Sequence, residues 1–247
     1  MAKSLAAIFI IPVAITLAGC LDLVAEPPAP VEEALRPALR VKTDLARGMR
    51  WELGWGSASA YDTASGQLIS RIRLPGATLS GAHGSCVPDM LLSRSGALIV
   101  SSNAQPMLWR ISPARFEVER YDIEVDADQD KDFGFSGLAW SADERELYAV
   151  SAATGALWRI DLASAKASKV ELSAPVRGAC GLAMARTPSA GPGRQPTTLL
   201  VAIGSREPSR RIALSPDLAR GEVTNASVTE LAWARHFKKQ GGGSHGL

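Results

Sequence analysis

Few side chains in this sequence have the type and spacing to do chemistry. His83, Cys86 and Asp89 fall in one short run, GAHGSCVPD, and Cys180 lies far downstream in GACGL. A histidine, a thiol and a carboxylate that close together are metal-ligand types. Yet a zinc site wants three or four convergent ligands, and only one of each is local. The alternating carboxylates of DADQDKD, residues 126–132, offer oxygen ligands of the kind calcium takes. The run lacks the glycine at its sixth position and the glutamate at its twelfth that a helix–loop–helix calcium site requires, so it reads as a solvated loop. No Ser–His–Asp order stands out and no CxxCH run is present for covalent haem. Neither a catalytic set nor a cofactor is therefore expected, and no metal.

The elements that must position these residues come from an internal repeat. LIVSSNAQPMLWRIS (98–112) lies over LYAVSAATGALWRID (147–161) without a gap, sharing Leu98/Leu147, Ser102/Ser151, Ala104/Ala153 and all of LWRI. CVPDMLLS (86–93) lies over SGLAWSAD (136–143). A looser copy runs through CGLAMART, TLLVAIGS and RRIALSPD (180–217), and SASAYDTASGQLISRIRLPG (57–76) matches the second half of a unit. Each unit holds four short strands separated by turns, which is the period of a β-propeller blade. The expected fold is all-β: a small propeller of about four antiparallel four-stranded blades, or five if the segment before residue 48 contributes. Trp109 and Trp158, at the same place in LWRI, are expected to pack between blades. VTELAWARHF (228–237) is expected to close the ring by pairing near Arg50–Trp55.

In this register Cys86, Ser136 and Cys180 begin the first strands of their units. That leaves three readings for the cysteines: a disulfide, two buried thiols, or a metal or reactive site. The bond requires Cα atoms within about 7 Å, so the channel must be tight or a loop must bend inward. Val87, Leu138 and Leu182 are expected to plug the channel, with His83 and Asp89 as polar residues at its mouth.

In AYDTASGQLISRIRLPG, residues Tyr61, Asp62, Thr63 and Gly66 resemble the YVTN family of propeller repeats, and GALWRIDLASAKASKVEL matches in pattern. The resemblance covers roughly residues 50–220. It implies a propeller architecture but no activity, because that fold hosts enzymes, electron-transfer subunits and binding proteins alike.

The ends of the chain bear on its location. MAKSLAAIFIIPVAITLAGC has a basic start at Lys3, an apolar run from Leu5 to Ala18, and small residues ahead of Cys20. Leu17-Ala18-Gly19-Cys20 resembles the bacterial lipobox, which implies a signal peptide over 1–19 and lipid on Cys20. The several acyl chains of such an anchor hold a protein stably in a membrane. Leu21 rather than Asp follows the cysteine, which by resemblance to the enterobacterial sorting rule points to the outer membrane, facing the periplasm. Residues 20–47 hold Pro27, Pro28 and Pro30 and read as a spacer; 48–237 read as the propeller; 238–247 (KKQGGGSHGL) read as a disordered tail. A net charge of +2 over 247 residues gives no electrostatic case for nucleic acid. The expectation is an envelope lipoprotein that binds a protein partner without catalysis. The alternative is a propeller-type hydrolase or dehydrogenase, or an accessory of a periplasmic redox enzyme, with its site at the channel mouth.

Overall fold

The computed structural model describes residues 37–79, 86–126, 133–185, 197–204 and 208–226. Seventeen strands and no helix occur among them. Sixteen of the strands form four blades. The first blade is β1 (Arg40–Asp44), β2 (Met49–Leu53), β3 (Ser57–Asp62) and β4 (Leu68–Arg73). The second is β5 (Met90–Leu92), β6 (Leu98–Ser101), β7 (Met107–Ile111) and β8 (Val118–Asp122), followed by the short β9 (Glu124–Val125). The third is β10 (Gly137–Trp140), β11 (Leu147–Val150), β12 (Leu157–Asp161) and β13 (Lys166–Leu172). The fourth is β14 (Ala179–Met184), β15 (Thr198–Ile203), β16 (Pro208–Leu214) and β17 (Arg220–Asn225). Within each blade the strands pair in chain order and antiparallel. At the rim the blades are stitched by parallel pairs: β9 on β13 through Glu124↔Lys166, and β13 on β17 through Glu171↔Arg220.

Packing between blades explains why LWRI is written twice. Trp109 lies opposite Val100, and Trp158 lies opposite Ala149, the same place in two hairpins. Neighbouring side chains on a strand point to opposite faces. Trp109 and Ile111 therefore enter the core between the first and second blades, while Leu108 enters the core between the second and third. One blade later, Trp158 and Ile160 enter that second core, and Leu157 enters the core between the third and fourth. The inner hairpin strands β6 and β11 are covered on both faces and buried throughout. In β2, by contrast, Met49, Trp51 and Leu53 are buried and alternate with the half-buried Arg50 and Glu52.

The first blade departs from expectation in two ways. Strand β1 falls inside the stretch 20–47 read as spacer, so the folded part reaches back at least to Arg40 and adds a strand to the first blade rather than a fifth blade. Strand β2 pairs with β1 on one edge and β3 on the other. Both edges are taken by described strands, so the place near Arg50–Trp55 expected to receive 228–237 is already occupied. Segment 228–237 itself lies outside the described residues, as do Cys20, His83 and 238–247.

Candidate functional site

The innermost strands of the four blades, β1, β5, β10 and β14, lie side by side around the axis. Their N-terminal ends converge there, and the polar residues of the molecule's centre come from those ends. Gly137 and Gly181 make the approach close: a Cβ on Gly137 would lie 2.7 Å from the Gly181 carbonyl carbon, so the third and fourth inner strands touch backbone to backbone.

Cys86, in the segment ahead of β5, is joined to Cys180, in β14, by a disulfide with Cα atoms 4.8 Å apart. The bond spans the axis from the second blade to the fourth. The two cysteines are not at equivalent positions. Met90 pairs with Val100, Leu138 with Ala149 and Leu182 with Val201, so Cys180 corresponds to Ser136 and Pro88. Cys86 sits two residues further upstream, where the chain bends inward instead of continuing the strand. The Asn103 side-chain amide donates to the Cys86 carbonyl at 2.7 Å and holds that bend.

Asp89 is buried beside the disulfide. One carboxylate oxygen accepts the Met90 N–H at 2.9 Å, and the other accepts the Leu138 N–H of the third blade at 2.9 Å. The Arg40 guanidinium of the first blade lies 3.9 Å from the same carboxylate and donates to the Cys180 carbonyl of the fourth at 2.8 Å. Ser136 donates its hydroxyl to the Ala179 carbonyl at 2.5 Å, tying the third blade to the fourth. These few groups thus bridge first to second, second to third, third to fourth, first to fourth and second to fourth. They also use most of one another's capacity, the buried Arg40 Nε–H being left without a hydrogen-bond partner. The thiols are oxidised, the carboxylate is engaged on both oxygens, and its charge is matched by one guanidinium. What this arrangement does chemically is hold four blades together.

The expected apolar plug is not what fills the centre. Leu138 belongs to the core between the second and third blades and Leu182 to that between the third and fourth, while Val87 is half-buried. The first-strand register turns these leucines between blades, and the polar cluster takes the axis. Trp109 is fully buried with its indole N–H on the Pro75 carbonyl at 3.0 Å; Trp158 is buried with the Lys169 ammonium 5.6 Å from its ring centroid. Of the acidic run, Asp126 alone is described; it accepts the Lys169 N–H at 3.0 Å. Arg40 escaped the sequence reading because it sits in the supposed spacer. The clue was available: the first repeat unit lacked two strands, and RVKTD with MRWEL are the strand-like runs that precede it.

Away from the axis, two shallow clefts of about 520 and 620 Å³ lie towards the rim, one against Gln105, Arg120 and Glu124, the other between β13 and β16–β17. Arg120 is paired with Asp122 at 2.6 Å in the first. The Tyr148 phenol, buried between the third and fourth blades, is pushed up to about 12 by desolvation, so it stays neutral at any physiological pH. Among the described residues no three His, Cys, Asp or Glu side chains converge as metal ligands would.

Solved structures share this arrangement at low identity. A streptogramin B lyase aligns over 77% of this chain and 55% of its own, with 16% identity and a TM-score of 0.51. The fold is a β-propeller. The propeller is also similar to the hydrazine synthase of Kuenenia stuttgartiensis, over 76% of this chain and 49% of that one, with 13% identity and a TM-score of 0.50. An auxiliary nutrient binding protein from Bacteroides thetaiotaomicron matches over 76% and 41%, with 12% identity and a TM-score of 0.50. The propeller spans about half the length of the structures it matches. At these identities the likeness fixes the fold alone. No protein-family model matches the chain, and no curated protein matches it.

Proposed function

We propose that this chain is a lipid-anchored envelope propeller that binds a protein partner without catalysing a reaction. The observation that carries the reading is the state of the axis. The polar residues that meet there, Arg40, Asp89 and the Cys86–Cys180 pair, are bonded to one another and to backbone groups, with the Arg40 Nε–H left over. A propeller whose centre is committed to cohesion has its connecting loops left for contact, and loops carried on a rigid scaffold are where recognition residues concentrate. Streptogramin B lyase, hydrazine synthase and the nutrient binding protein show only that this fold serves enzymes and binding proteins alike.

The location rests on the lipobox-like Leu17-Ala18-Gly19-Cys20 and on the disulfide, a bond that persists in oxidising compartments and is rare in the cytosol. The reading places the protein at the outer membrane, facing the periplasm, with Cys20 carrying the lipid.

The test is affinity capture of the tagged chain from gently solubilised envelopes, beside a Cys20→Ala variant. The expected result is acyl mass on the wild-type N-terminus and a partner at stoichiometric yield. Recovery of unmodified Cys20 would overturn the anchor, and recovery of a lone monomer would overturn the scaffold role.

A further inference from the structure

The three apolar cores lie between the first and second, second and third, and third and fourth blades. Among the described residues none of them joins the fourth blade to the first. The residues of the first blade that face this seam differ in kind from those in the cores. In the first blade, Arg50 and Glu52 alternate with Met49, Trp51 and Leu53 and so point away from the second blade. They form an ion pair at 3.0 Å, and the Arg50 guanidinium lies 4.9 Å from the Tyr61 ring centroid. In the fourth blade, Thr198 and Leu200 alternate with Leu199 and Val201 and point away from the third blade, yet they are 2% and 1% exposed. The seam is thus covered, but among the described residues no apolar core spans it. At the axis it is crossed by Arg40 on the Cys180 carbonyl, with Cys180 itself bonded to Cys86.

We infer that the Cys86–Cys180 disulfide, which ties the fourth blade to the second across the axis with Arg40 of the first seated against it, is a redox-operated clasp that keeps the ring closed where its first and fourth blades meet. Reduction opens that seam and leaves the three cores standing. A dithiol reductant does this by thiolate attack on one cysteine sulfur. The resulting mixed disulfide is resolved by the reductant's second thiol; two electrons and two protons pass to Cys86 and Cys180 as thiols, and the reductant leaves as its own disulfide. With the bond gone, the Arg40 contact to the Cys180 carbonyl remains between β1 and β14 among the described residues, and a 94-residue loop is released.

Hydrogen exchange followed by mass spectrometry on the full chain, oxidised and after dithiothreitol treatment, tests this. The expected result is a loss of protection of roughly tenfold or more in β1, β14 and β15, while β6, β7, β11 and β12 keep theirs, because local opening and global unfolding leave different exchange patterns. Unchanged protection in β1, β14 and β15 after complete reduction would show an inert bond and overturn the clasp. Uniform loss across all four blades would overturn it too, by showing that the cores do not stand without the bond. The Cys86→Ser/Cys180→Ser double variant should reproduce the reduced pattern without reductant; failure of that variant to fold counts against the inference in the same way.

Discussion

The packing between blades and the packing at the axis hold the same propeller by opposite means. Between blades, the work is spread over a dozen or so buried apolar residues per core, and the residue types recur from blade to blade. At the axis, a handful of polar groups act, each occurring once in the repeat and each reaching beyond its own blade: Arg40, Asp89, Ser136, Cys86 and Cys180. Non-directional apolar burial tolerates repetition, because any blade with the right faces stacks on its neighbour. Closure is directional and singular, since it joins ends rather than neighbours. The contrast teaches that the repeat encodes stacking while the exceptions to the repeat encode closure.

Trp109→Ala and Trp158→Ala probe the stacking side and should have the largest effect, each destabilising the fold by about 3–5 kcal/mol through lost burial and the cavity left behind. Chemical denaturation measures this, and the two losses should agree within about 1–2 kcal/mol if the cores are equivalent. A large disparity would break the equivalence of the two blades. Asp89→Ala probes the axis. It strands the Met90 and Leu138 N–H groups and leaves Arg40 without its carboxylate, which should cost about 1–3 kcal/mol. A loss as large as that of a tryptophan would mean that the axis, not the cores, carries the fold.

The smallest effect concerns the turns. Asp62 is held below the ordinary carboxylate range mainly by the Ser65 backbone N–H. Asp161, Asp143 and Asp217 are held there mainly by the hydroxyls of Ser164, Ser141 and Ser215. A depressed folded pKa contributes stability that is fully present above the unfolded value of about 3.9 and is lost as pH falls through the lower folded value. The denaturation midpoint should therefore hold steady from neutral pH to about 5 as far as these groups are concerned, then fall below about 4. Asp62→Asn with Asp161→Asn should flatten that fall slightly, and a wild-type midpoint unchanged down to pH 3 would contradict it.

This division also explains what was legible in the sequence. LWRI at Trp109 and Trp158 repeats because its packing role repeats, so sliding the chain on itself exposes the second and third blades. The half-unit at residues 57–76 resolves into β3 and β4. Its missing strands, RVKTD and MRWEL, were hidden because a terminal blade turns one face away from the apolar cores and keeps charged residues there: Arg50 and Glu52 break the apolar run that marks β6 and β11. At the axis, Cys86 and Asp89 drew attention by type alone, and their partners could not. Leu138 and Cys180 contribute backbone groups, which no side-chain pattern announces, and Arg40 acts over 140 residues of sequence. Val87 was misplaced because the first strand of the second blade lies two residues off the assumed register, while Leu138 and Leu182 keep theirs and were misplaced because their faces turn between blades.

Strand β1 has one further consequence, a mechanical one. It begins at the axis, and its five residues pair along one side with β2. A tether on the chain ahead of Arg40 therefore delivers its tension to the centre of the wheel rather than to the rim. A pull along the axis loads all five pairs at once in shear, and the spokes share it; a sideways pull peels them singly. The direction from which the protein is held thus sets how much force its first spoke withstands.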